Sequence, residues 1–256
     1  PVTGAPISVV YTEWKMSPYR TRGIHCQNCH MSPQAGIVPR VLVTPERSGK
    51  VYTHYFSDFL GGDLFARPRW KEKRLGVSRD IKLREVATVR ILPPKDLAPG
   101  RLARFTVQVA NVGSGHKLPS GMPGQRQVWL EITVTDADGS DIFTSGKLDE
   151  SGFIDKSAVK FQSVLVDSQG KPTDHFWLGT KIISDNRILP EGEARVEYGF
   201  ELPEATKGPI DIRAVLNYQA FAQETVNELI GEGAPRAPVL RMAADWVRVP
   251  IGSGKQ

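Results

Sequence analysis

The sequence predicts a mainly β protein. A first region, 1–82, reads as short helices and loops, and 83–256 as an immunoglobulin-like β-sandwich. Three observations predict this. After about Leu83 apolar and polar residues alternate in several runs, which is the period of a half-buried strand. Turn chemistry separates those runs, as in Asp136-Ala137-Asp138-Gly139. Before Leu83 long periodic elements are scarce, so that region reads as chain wrapped around something other than its own core.

In chain order, Ser8 to Tyr19 carries Val10, Trp14 and Met16 at helical spacing, and Pro18 limits how far that helix extends. Ser32 to Gly49 is punctuated by proline and glycine. Tyr52 to Gly62 is rich in aromatics and ends on a glycine pair, and Arg67 to Lys82 is a strongly basic surface connector. Strands follow. Phe105, Val107 and Val109 alternate with Arg104, Thr106 and Gln108. Val128, Leu130, Ile132 and Val134 alternate with Trp129, Glu131, Thr133 and Thr135, and a turn leads to Ile142-Phe143. Val196, Tyr198, Phe200 and Leu202 form another run, Ile210, Ile212, Ala214 and Leu216 the next, and Trp246 to Val249 the last. Within this half Glu224 to Ile230 reads as a helix. Six or more short strands of this kind suggest two packed antiparallel sheets.

The chain has 256 residues, of which 40% are apolar, enough for a sizeable core. No apolar run approaches the roughly 18 residues of a membrane span, and the start at Pro1 reads as a mature or trimmed one. Net charge is +5, from 33 basic and 28 acidic residues, with no basic block of the kind that tracks a nucleic-acid backbone. Nucleic acid is therefore not expected as a partner. A mildly basic surface could steer an acidic redox partner.

Both cysteines of the chain lie in one motif, Cys26-Gln27-Asn28-Cys29-His30. Two thiols at this spacing match the two vinyl groups of a haem, and the adjacent histidine is held beneath the iron as proximal ligand. A thioredoxin-like site would need a strand before the motif and a helix after it in a βαβ setting, which the pattern lacks. A zinc ribbon would need a second ligand pair, and there is no third cysteine. The expectation is one covalent haem c per chain, on Cys26, Cys29 and His30.

A sixth iron ligand would come from His25, His54, His116, His175, Met16, Met31, Met122 or Met242. His25 abuts Cys26, which is unfavourable geometry. His175 lies among bulky aromatics and reads as a surface or hydrogen-bonding residue. His116 stands first: it sits in the loop Asn111 to Gly121, between two strands, where three glycines and a proline imply sharp turns and a close approach to something bulky. A solvated histidine in an ordinary connection is the plain alternative. His54, among Tyr52 and Tyr55, is next, either as a ligand or as a histidine packed among aromatics. Met122 would give a higher-potential histidine/methionine centre and ranks below both.

Tyr11-Thr-Glu-Trp-Lys-Met-Ser-Pro-Tyr19 followed by Gly23-Ile-His-Cys-Gln-Asn-Cys-His-Met31 resembles a run of the multihaem c-type cytochromes, including those of metal-reducing and nitrogen-cycle bacteria. Thr53-His-Tyr-Phe with Gly61-Gly62, the loop Asn111 to Gly121, Val128-Trp-Leu-Glu and Asp136-Ala-Asp-Gly139 are similar to further segments of that family. The resemblance covers about 11–146 and, more weakly, Asp185 to Leu202. It implies that His54 and His116 are of the kind that serve as distal haem ligands. The chain departs from the family in having one attachment motif where several are usual, which leaves one distal histidine surplus for a haem in a neighbouring chain or without a role. Ser120 also stands where threonine is usual.

The function expected is electron transfer by a c-type cytochrome or cytochrome subunit, probed against two alternatives. One is a redox-enzyme subunit with an open iron site acting on a small nitrogen or sulfur compound. The other is a haem-based sensor or partner-binding subunit. An open site needs acid/base residues beside it, and no such cluster stands out in the sequence. The expected setting is periplasmic or extracellular in a bacterium, after export. The expected partners are other redox proteins, with multihaem subunits of a complex among them.

Overall fold

The computed structural model describes residues 4–5, 8–30, 83–122 and 124–252. Three short helices lie in the N-terminal part: α1 (Val10–Lys15), α2 (Pro18–Thr21) and α3 (Cys26–His30). Pro18 does end the first helix, and it also opens the second, where a missing N–H costs nothing. Ser17 bridges the two by donating from Oγ to the Trp14 carbonyl at 2.8 Å.

The strands are β1 (Ala87–Leu92), β2 (Leu102–Asn111), β3 (Gln127–Thr135), β4 (Asp141–Ser145), β5 (Lys160–Phe161), β6 (Ser163–Val166), β7 (Pro172–Thr173), β8 (Lys181–Asp185), β9 (Glu193–Glu201), β10 (Ile210–Gln219) and β11 (Val239–Val249). Helix α4 (Gln223–Ile230) lies between the last two. One sheet has the order β1-β2-β9, a second β11-β10-β3-β4 with β5 also on β3, and a small third sheet β7-β6-β8. Every pairing is antiparallel. The chain is mainly β, and the two larger sheets pack into the sandwich that the alternation predicts.

The core lies between those sheets. Val107 and Val109 of β2 face Leu130, Ile132 and Val134 of β3 and Ile212, Ala214 and Leu216 of β10, all of them sealed from solvent. Burial of a Val, Leu or Ile side chain stabilises by about 1.5–3 kcal/mol, so these alternating positions hold the sandwich together. Aromatic rings close one end: Phe105 stacks on Tyr198 at 5.5 Å and Phe143 on Phe200 at 5.6 Å. Trp129 departs from the alternation. It belongs to the outward set of β3 yet is fully buried, its Nε1 donating to the Gly146 carbonyl at 2.9 Å. Chain following β4 covers that face.

The connection from β2 to β3 is pinned at its start. Asn111 is fully buried, donates from Nδ2 to the His116 carbonyl at 2.9 Å and accepts from the Ser114 amide at 3.1 Å. Leu118 then pairs with Ile188 through two backbone hydrogen bonds of 2.9 Å. The loop is thereby fixed to the segment between β8 and β9.

Candidate functional site

Cys26 and Cys29 both lie on α3 and both are exposed. Three residues apart on a helical turn, they share one side of it. Asn28 organises the turn: its Oδ1 accepts from the His25 amide at 2.8 Å, and its own amide donates to the His25 carbonyl at 3.0 Å. Just upstream, Trp14 donates from Nε1 to the Ile24 carbonyl at 2.8 Å, and its ring lies 5.4 Å from that of His25. The cysteine turn is thus tied back to α1.

This N-terminal segment docks at three places, on the β2–β3 connection and on the segment between β8 and β9. At the first, the ring of Tyr19 fills the space beside Gly115, where a Cβ would come within 3.3 Å of it. Its hydroxyl donates to the Val112 carbonyl at 3.4 Å. Burial, with Glu191 and Cys29 nearby, pushes the Tyr19 phenol above its ordinary pKa. At the second, the Arg22 guanidinium makes a two-pronged pair with Glu191, one prong at 3.0 Å. The third is Glu13, on α1 and only 8% exposed. Its Oε2 accepts from the Lys117 amide at 3.2 Å and the Ser120 hydroxyl at 3.0 Å, and its Oε1 lies 2.9 Å from Nη1 of Arg187.

Arg187, itself 9% exposed, forks onto Asp185 with Nε and Nη2 each at 2.8 Å. Lys117 Nζ reaches the same carboxylate at 2.7 Å. Burial alone would raise Asp185, but the Arg187 and Lys117 hydrogen bonds overcome it and hold its pKa down to about 2. Arg187 is likewise desolvated, and the charges of Asp185 and Glu13 outweigh that and raise it.

His116 is half-buried at the centre of the connection. Its Nδ1 lies 3.0 Å from the Lys117 carbonyl and 2.8 Å from Ser114 Oγ, which is also 3.3 Å from Nε2. A carbonyl can only accept, so Nδ1 carries the proton in the neutral ring and the lone pair falls on Nε2. Burial lowers the His116 pKa and keeps the ring neutral, the form that ligates metals.

The bulky neighbours that the loop glycines admit are parts of the chain itself. At Gly113 a Cβ would stand 2.5 Å from the Glu85 carbonyl oxygen and 2.9 Å from Val86 Cα, and at Gly115 the neighbour is Tyr19.

The other candidates are scattered. His25 is exposed against Trp14. His175 pairs with Glu228 at 2.5 Å and packs 4.6 Å from the Trp177 ring. Met16 is 82% exposed, Met242 is buried in the core, and Met122 borders a small crevice with Arg126, Ser163 and Arg187. His54 and Met31 lie outside the described residues, as does the side chain of His30. Among the described residues no three His, Cys, Asp or Glu side chains converge into a metal cluster, and no helix is long and apolar enough to cross a membrane.

Sequence reasoning missed Glu13, Arg187 and Asp185. A signal for Glu13 exists: it shares a helical stripe with Val10, Trp14 and Ser17, and an acid inside such a stripe needs a buried partner.

No family model matches this chain, and no curated protein matches it. Among solved structures, the CARDB domain of the PF1109 protein from Pyrococcus furiosus aligns with a TM-score of 0.27 at 15% identity, over 65% of this chain and 94% of that one, too low to carry weight. A penta-haem cytochrome c552 from Thermochromatium tepidum aligns with a TM-score of 0.63 at 19% identity, over 96% of this chain and 52% of that one. The chain therefore spans about half the length of that cytochrome and is similar to it in fold.

Proposed function

We propose that this chain is a c-type cytochrome, or the haem-bearing part of one, that transfers electrons outside the cytoplasm. One haem c is anchored on Cys26 and Cys29 within region 1–82, with His30 as proximal ligand. The sandwich, 83–256, supplies His116 as distal ligand. The observation that carries this is the docking of the cysteine-bearing segment on the His116 loop through Tyr19 and Glu13. The motif and the histidine, far apart in the sequence, are thereby held together.

The residues fit a covalent haem. Two exposed thiols share one side of a helical turn, and the neutral imidazole of His116 carries its lone pair on Nε2. The porphyrin brings its own four donors, so no cluster of protein ligands is required. When bound, the haem supplies one-electron redox chemistry. The chain holds it covalently and fixes the tautomer of one ligand. Two histidines keep the potential below that of a histidine/methionine centre, which suits a relay. Other redox proteins are the partners, and the fold similarity to a longer multihaem chain favours a multihaem assembly among them.

Haem staining of a denaturing gel tests the anchor. Wild-type protein stains, and Cys29→Ser loses most of the covalent haem; an unstained wild type would sink the proposal. His116→Ala makes the ferric haem high-spin or opens it to carbon monoxide, while His54→Ala leaves it low-spin. The reverse pattern moves the assignment to His54. A thioether-to-iron charge-transfer band in the oxidised protein points instead to Met122.

A further inference from the structure

We infer that Glu13 is a positioning residue for His116: its buried carboxylate locks the peptide unit that carries the histidine to the helix that leads into Cys26 and Cys29. This rests on the haem reading above and adds a role for a buried acid outside the proposed ligand set.

Three features support it. The first is which atoms are held. The His116 carbonyl and the Lys117 amide are the two ends of one peptide unit. Asn111 of the sandwich binds the carbonyl end at 2.9 Å, and Glu13 of α1 binds the amide end at 3.2 Å. Rotation of that unit would swing the imidazole, and both ends resist it. The second is how Glu13 is held. Its other oxygen meets Arg187, Arg187 meets Asp185, and Asp185 meets Lys117, whose amide returns to Glu13. Two acids and two bases close the circuit, so the direction of the carboxylate is fixed from several sides. The third is the cost of the arrangement. Desolvating four charged groups is expensive, and an apolar contact would join helix to loop more cheaply. What an apolar contact lacks is directional register, the best-attested use of buried polar groups. Tyr19 and Arg22 join the same surfaces at Gly115, Val112 and Glu191, but Glu13 engages the peptide of His116 itself.

The test uses the holoprotein. Glu13→Gln keeps shape and one acceptor but removes the charge. Covalent haem per chain, ferric spin state by electron paramagnetic resonance, and the rate of carbon monoxide binding to the ferrous form are measured. Covalent haem stays at the wild-type level, a high-spin fraction appears, and carbon monoxide binds at least tenfold faster. Glu13→Gln combined with His116→Ala behaves as His116→Ala alone, because the two act through one ligand. A wild-type spin state and wild-type carbon monoxide binding in Glu13→Gln would overturn the inference. So would a double variant more open than His116→Ala. A low-spin His116→Ala would remove the ligand assignment itself, and this inference with it. If Glu13→Gln fails to fold, Ser120→Ala, which deletes one donor to the same carboxylate, replaces it: binding several-fold faster supports the role, and an unchanged rate overturns it.

Discussion

Asp185 holds its proton so weakly because two cations converge on it: the Arg187 fork at 2.8 Å and Lys117 Nζ at 2.7 Å. Its folded pKa of about 2 lies below the 3.8 of an ordinary aspartate. A depressed carboxylate stabilises the fold above its unfolded pKa and loses that stabilisation as pH falls through the folded value. The window is therefore about pH 4 to 2. A shift of this size corresponds to about 2.5 kcal/mol at most. With a fifth of the side chain exposed, at 21%, solvent screening leaves roughly 1 kcal/mol. Denaturant titrations of wild type and Asp185→Asn at pH 6, 4 and 2.5 check this. The gap between the two proteins shrinks as acid is added; a gap that stays constant would mean the carboxylate is not held by its charge.

At the scale of elements, the β2–β3 connection owes its course to glycine. Val112 and Gly113 both donate to the Val86 carbonyl, at 2.9 and 3.1 Å. A methyl on Gly113 would strike the Glu85 and Val86 backbone. Gly113→Ala should therefore destabilise by about 1–3 kcal/mol, the ordinary cost of overpacking. Gly139→Ala has open space around it and pays only for its left-handed backbone, about 1–2 kcal/mol. Urea unfolding of Gly113→Ala that matches wild type would contradict the close approach. Glycines in this loop were legible as a sign of crowding, though what crowds them was not. The long strands were legible for a physical reason: β2, β9 and the first half of β10 bury alternate apolar residues, and that pattern is written in the sequence. The strands from Lys160 to Asp185 were not, because they are two to five residues long and β8 is mostly exposed. Trp129 misled because period two describes one buried face, and at this end of β3 both faces are covered. In the site, the cysteine motif is local and readable, whereas the Glu13 circuit joins residues far apart in the chain.

Across the whole molecule, the sandwich has its own two-sheet core, and among the described residues α1, α2 and the turn after them hold to it through polar contacts of Glu13, Tyr19 and Arg22. A fragment starting at Leu83 should therefore keep a β-type circular dichroism spectrum and unfold cooperatively. It should do so at lower denaturant than the full chain, since Arg187 loses Glu13 and its buried charge is less fully matched. A mainly helical spectrum would contradict the architecture.

The contacts that dock the N-terminal segment span long stretches of sequence: 104 residues from Glu13 to Lys117 and 169 from Arg22 to Glu191. Contacts of such separation form late, after the intervening chain has found its own pairings. The cysteines precede the strands in the chain, so they are made before the surface that receives their segment. Maturation is thereby ordered in time. Until the sandwich has formed, the cysteine turn is an open tether, and a group attached to it as proposed would be in place before the docking contacts close.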